Sequence, residues 1–175
     1  MLYEFILRLE KQIPGFNTKL ALGEDIVTWA EQCGILVLDD RSISAAVSLK
    51  YKRKNIILVN PWICDHEKVL AIGHELGHHV LGHVDSEQEL HFDPSSLFSH
   101  WGTEKDASII GHLCLIPTTT IIRLAQESRL NVEELYNELY PWMEADEEIA
   151  MKICEARMRI FGALVRARES RGLKL

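Results

Sequence analysis

Apolar residues recur at helical spacing from the first positions. Leu2, Phe5, Ile6 and Leu9 line one face, and Pro14-Gly15 ends the pattern. A second helical pattern runs roughly over 18–33 and buries Leu22, Ile26, Trp29 and Ala30, with Gly34 as its stop. The texture then changes. Residues 35–38 form a short apolar run, Asp39-Asp40 signals a turn, and 42–49 alternate loosely. After a polar turn at 50–55, the stretch NIILVN (55–60) is β-branched and closed by Pro61. These segments predict a small antiparallel sheet of about three strands. Helical periodicity returns over 66–83, with Val69, Ile72, Leu76 and Val80 as the buried stripe.

Residues 84–101 have no clear period. They hold Pro94 and four acids but no Lys or Arg, and read as a long loop. A helix from about Thr103 to Leu115 stops before Pro117. Further helices are expected over 118–128, from Asn131 (with Glu134 as capping-box partner) to a break at Pro141, and along Ile149, Ile153, Ile160 and Leu164. The fold class is therefore α+β. It is mostly helical, with the small sheet packed on the helix at 66–83, and residues 118–175 form a helical extension of a 1–117 core.

Composition narrows the function classes. At 175 residues, 47% hydrophobic and 26% charged, the chain is an ordinary globular domain. A net charge of -7 lacks the overall footprint of a nucleic-acid binder, so direct nucleic-acid binding is not expected. Cys33, Cys64, Cys114 and Cys154 form no CxxC pair and read as reduced thiols of a cytosolic protein. No apolar run approaches the roughly 20 residues of a membrane span, and the first helix is amphipathic rather than a signal peptide. The expected location is the cytoplasm.

The chemistry concentrates in His74-Glu75-Leu76-Gly77-His78. Four residues along a helix turn the chain by about 400°, so the two imidazoles sit about 40° apart, one turn up. Both can reach one ion. Glu75 lies further round, near a fourth ligand without being one itself. If that ligand is water, Glu75 can take its proton, the arrangement of the HExxH zinc hydrolases. The competing reading is a solvated helix face. It must accommodate Gly73, Gly77 and Gly82, each costing a helix about 1 kcal/mol against Ala. Their missing side chains would leave room for a substrate or a neighbouring strand. A third protein ligand must lie downstream. The metzincin continuation fails, because Leu81 and Val84 stand where Gly and His are needed. His79 and His83 read as flanking groups or as partners of the ligands. The remaining candidates are His91, Asp93, His100, Glu104 and Asp106. Glu104 is favoured, since it begins a helix that can hold it rigidly. Ser108, four residues on, could hydrogen-bond a ligand His. Asp106 is turned roughly 200° away and suits the helix dipole, with Thr103 as N-cap.

HELGH followed by Glu104-Lys-Asp-Ala107-Ser108-Ile-Ile-Gly111-His-Leu-Cys-Leu115-Ile-Pro117 resembles the ImmA/IrrE metallopeptidases, whose second motif reads E-x-x-A-[NS]-x-x-[AG]-x-x-x-L-x-P. The resemblance is clearest over 55–117. The chain departs from the pattern at Ile110-Gly111, where Phe-Ala is usual, and at His112. The resemblance implies a gluzincin-like core, Zn2+ on His74, His78 and Glu104, and Glu75 as general base. It also implies a cytoplasmic, often phage-linked peptidase whose substrates are helix-turn-helix transcriptional repressors. For the oxyanion, His100 and His112 are both candidates.

Two further features compete. Residues 122–135 have the texture of a helix-turn-helix, but 118–141 carry two Arg against four Glu, which opposes phosphate contact. Residues 155–175 carry six basic residues against two acidic ones and read as a solvated face balancing the acidic run at 144–148. The alternative function is a non-proteolytic zinc-binding regulator acting on a repressor or on DNA. A closed four-ligand site, completed by His91 or His100, would serve that role.

Overall fold

The structure, a computed structural model, describes residues 2–84, 102–139, 141, 143 and 146–172, and the backbone of 90–91. It is α+β. Its elements in chain order are α1 (Leu2–Gln12), α2 (Gly23–Gln32), β1 (Ile35–Asp39), β2 (Ala46–Tyr51), β3 (Lys54–Val59), α3 (Asp65–Leu81), β4 (Leu90–His91), α4 (Gly102–Leu115), α5 (Thr118–Gln126), α6 (Val132–Leu139) and α7 (Glu147–Glu169).

The sheet corrects the expectation of an antiparallel arrangement throughout. Its order is β1-β3-β2-β4, and β1 pairs with β3 in parallel, from Ile35 opposite Asn55 to Asp39 opposite Val59. β2 and β3 form the expected hairpin, turned by Lys52 and Arg53 at φ 47° and 67°. Two consecutive positive φ values give the mirror-image turn that matches strand twist. The physical reason for the mixed sheet lies in residues 40–45. They need to cross only one strand position, about 10 Å, well within the reach of six residues. β3 can then take the centre, where Ile57 and Val59 are buried, while Leu36 and Leu38 on the β1 edge stay exposed. Asn60 holds the crossing loop. Its side chain donates to the Ile43 carbonyl at 2.9 Å, and its N–H to Ala45 at 2.7 Å.

The second helix starts later than expected, at Gly23. Leu22 is its N-cap and is exposed rather than buried, and the Asp25 carboxylate accepts the Leu22 N–H at 3.0 Å. Gly34, at φ 76°, follows that helix in the left-handed region. On α7 the buried face is Ala150, Ile153, Cys154, Ala156 and Arg157, so the expected Ile149 points outward.

One apolar cluster runs from Ile6 and Trp29 through Ile72 and Leu113 to Leu135 and Ile153. A polar thread crosses it. Fully buried Arg157 donates to the Ile116 carbonyl at 2.7 Å and to the Thr118 hydroxyl at 2.8 Å. Thr118 donates to the Asn17 side-chain oxygen at 2.7 Å, and Asn17 donates to the Glu10 carboxylate at 2.7 Å. Among the described residues, no single helix is long and apolar enough to cross a membrane.

Candidate metal centre

α3 is the axis of the site. Cys64 caps it, its N–H donating to the Glu67 carboxylate at 3.3 Å. From Val69 to His78 every residue is buried, because α3 is covered by α2, β2, β3 and α4 rather than lying on a surface. His74 and His78, one turn apart, bring their Nε2 atoms within 3.0 Å, with ring centroids 4.7 Å apart.

Two of the three glycines admit a neighbouring helix, not the expected substrate or strand. A Cβ on Gly77 would lie 2.8 Å from the Ala107 Cα, one on Gly73 3.0 Å from the Gly111 Cα, and one on Gly111 3.0 Å from the Leu70 carbonyl. Small residues four apart on both helices thus let the α3 and α4 backbones touch. Gly111 belongs to this contact. Gly82, at φ 76°, ends α3 in the left-handed conformation and lies outside the contact.

The close crossing carries Glu104 and Ser108 to the histidines. Glu104 Oε2 is 3.3 Å from His74 Nε2, and Oε1 is 3.4 Å from His78 Nε2. The two Nε2 atoms and the Glu104 carboxylate, which turns a different oxygen to each ring, thus form a triangle of groups with nearest approaches of 3.0–3.4 Å. Tetrahedral ligation at Zn–N bonds of about 2.0–2.1 Å separates ligand atoms by about 3.3–3.4 Å. The triangle fits one such ion.

Proton bookkeeping points the same way. The Ser108 hydroxyl donates to the Glu104 carbonyl at 2.7 Å, so towards His74 Nδ1, 3.2 Å away, it accepts. His74 then carries its proton on Nδ1 and turns the Nε2 lone pair into the triangle. Burial, followed by the neighbouring histidines, pushes His74 down to about 3 and His78 down to about 4, so both rings are neutral, as ligation requires. Glu75 is fully buried, and neither carboxylate oxygen has a hydrogen-bond partner among the described residues. The nearby Ser48 hydroxyl on β2 donates to the Glu75 main-chain carbonyl at 3.4 Å. Burial pushes the Glu75 carboxyl up to about 8.

The other sequence candidates divide. His79 donates from Nε2 to the Ile56 carbonyl at 3.1 Å, away from the triangle, whereas His83 Nδ1 sits 3.2 Å from His78 Nδ1. Asp106 stays out of the triangle, and its charge acts on His83. Thr103 is not the N-cap, since α4 already includes Gly102. His112 is fully buried in the same helix pair. Asp93 and His100 lie outside the described residues, and His91 is described only as backbone pairing with Val47. Cys64, His66 and Glu67 make a second group of ligand type. Glu67 there accepts the Cys64 N–H and, at 3.2 Å, its thiol, which is capping at a helix terminus whose dipole disfavours a cation. Sequence reasoning missed the Gly73/Gly77–Ala107/Gly111 contact, although the four-residue spacing of small side chains was its signal. Compared with protein-family models, with characterised proteins and with solved structures, the chain matches none.

Proposed function

We propose that this chain is a zinc-dependent endopeptidase with a zincin-like core, and that its substrate is a helix-turn-helix transcriptional repressor cleaved in the cytoplasm. The observation that carries the reading is the triangle of two neutral Nε2 atoms and one carboxylate, with a fully buried carboxylate at the adjacent residue. His74, His78 and Glu104 would hold the ion. Bound zinc supplies Lewis acidity towards a peptide carbonyl and brings the pKa of a bound water to about 7. Glu75 accepts a proton from the attacking water and returns it to the leaving amine. Burial holds a proton on this carboxyl in the metal-free chain; the charge of a bound cation would favour its ionised form and leave a base of raised proton affinity beside the ion. The substrate class rests on the resemblance of the two motifs to the ImmA/IrrE metallopeptidases.

The test is co-expression with a repressor encoded beside this protein, for the wild type, Glu75→Gln and His78→Ala, with zinc content measured. Wild type should cleave. Glu75→Gln should retain one zinc per chain and lose cleavage by at least about a hundredfold, in the range of a lost general base. His78→Ala should lose both. Zinc lost along with activity in Glu75→Gln would make Glu75 a ligand. A wild type that binds zinc and cleaves nothing, while shifting duplex DNA with a steep salt dependence, would favour the regulator.

A further inference from the structure

The chain leaves α3 through Gly82, and two main-chain bonds fix the position of His83. The His83 N–H donates to the His78 carbonyl at 2.8 Å, and the Gly82 N–H donates to the His79 carbonyl at 3.1 Å. This pair is the Schellman motif, which locks the residue after the glycine against the residue five positions earlier. Here those two residues are both histidines. Their rings meet at 69° with centroids 5.3 Å apart, and Nδ1 faces Nδ1 at 3.2 Å.

A hydrogen bond between two such nitrogens needs one donor and one acceptor. A His78 that turns its Nε2 lone pair to an ion carries its proton on Nδ1, so it is the donor. His83 must then accept on Nδ1 and hold its own proton on Nε2. We propose that His83 is a positioning residue of the metal centre, accepting the His78 Nδ1 proton and so holding His78 in the tautomer and ring orientation that ligation needs. The proposal rests on the zinc reading above. It gives each ligand histidine its own support from behind: a hydroxyl of α4 for His74, and the capping imidazole of α3 for His78. The pairing also explains why His79, adjacent to His78 in sequence, has no such role. Its Nε2 is taken by the Ile56 carbonyl of β3.

The experiment combines zinc affinity, by chelator competition, with long-range 1H–15N correlation spectra of the imidazoles in the zinc-loaded chain. His83 should show a protonated Nε2 and a bare Nδ1, and His78 a protonated Nδ1. His83→Ala should weaken zinc binding by about ten- to a hundredfold. His83→Asn places an amide oxygen close to where Nδ1 was and should restore most of that loss. Gly82→Ala, which strains the left-handed cap without touching either ring, should weaken zinc binding in the same direction. Wild-type zinc affinity in His83→Ala, or a His83 ring protonated on Nδ1, would overturn the role of His83 alone. A wild-type chain that takes up no zinc would instead sink the metal reading, and this proposal with it.

Discussion

Glu104 and Asp106 sit two residues apart on one helix, and only one of them completes the triangle. The Glu104 carboxylate reaches both Nε2 atoms, whereas Asp106 acts on His83. Glu104→Ala should therefore abolish stoichiometric zinc, while Asp106→Ala should keep one zinc per chain with a modest loss of affinity. Metal analysis of the two purified variants decides it, and zinc retained in Glu104→Ala but lost from Asp106→Ala would reverse the assignment. A stoichiometry of two in the wild type would show that Cys64, His66 and Glu67 also bind. At this scale much was legible from the chain alone. Two histidines one helical turn apart converge by helix geometry, and Glu104 and Ser108 share a face for the same reason. The direction of the Ser108 proton was not legible, because it depends on the Glu104 main-chain carbonyl accepting it.

The α3–α4 pair decides whether these residues meet at all. Glu104 reaches the histidines because nothing larger than a hydrogen stands between Gly77 and Ala107 or between Gly73 and Gly111. Gly77→Ala would press a methyl against backbone, which cannot rotate away. It should destabilise the fold by about 1–3 kcal/mol and weaken zinc binding as α4 is displaced. Gly162→Ala is the counterpart. Its Cβ would meet only the Arg166 guanidinium at 3.4 Å, in the middle of α7, so it should stabilise by about 0.5–1 kcal/mol and leave zinc binding unchanged. Thermal melts with and without zinc separate the two. The glycines of α3 were visible in the sequence as a cost to a helix, but their partner was not, since only the tertiary crossing names Ala107 and Gly111. The sheet has the same limit. Each strand of the β2–β3 hairpin announces itself, whereas the insertion of β3 between β1 and β2 depends on which strand is apolar enough to take the centre.

For the whole molecule, the centre is a set of buried ionisable groups that folding must hold in unusual protonation states. The Arg157–Thr118–Asn17–Glu10 thread shows how such a group is accommodated elsewhere, with a buried cation linked through neutral groups to a carboxylate. Around α3 the opposing demands set a pH dependence for the metal-free protein. His74 and His78 fall from the usual 6.5 to about 3 and about 4, so in acid the unfolded chain binds protons that the folded one refuses. Their contribution is present above about 6.5 and is lost as the pH falls towards 4. Glu75 rises from 4.5 to about 8, so between those values the folded chain holds a proton that the unfolded one has released. Its contribution is present below about 4.5 and is lost as the pH rises towards 8. Two histidines outweigh one glutamate where the windows overlap, and above 6.5 only the glutamate acts. Metal-free protein in chelator should therefore melt highest near pH 6.5 and lose stability on both sides. Glu75→Gln cannot ionise at that position, so between pH 6.5 and 8 its melting temperature should fall less than that of the wild type. Between pH 6.5 and 4.5 it should fall more steeply, because no glutamate then offsets the histidines. Equal alkaline slopes for the two proteins would mean that Glu75 is already ionised in the folded chain, and that its burial does not raise its proton affinity.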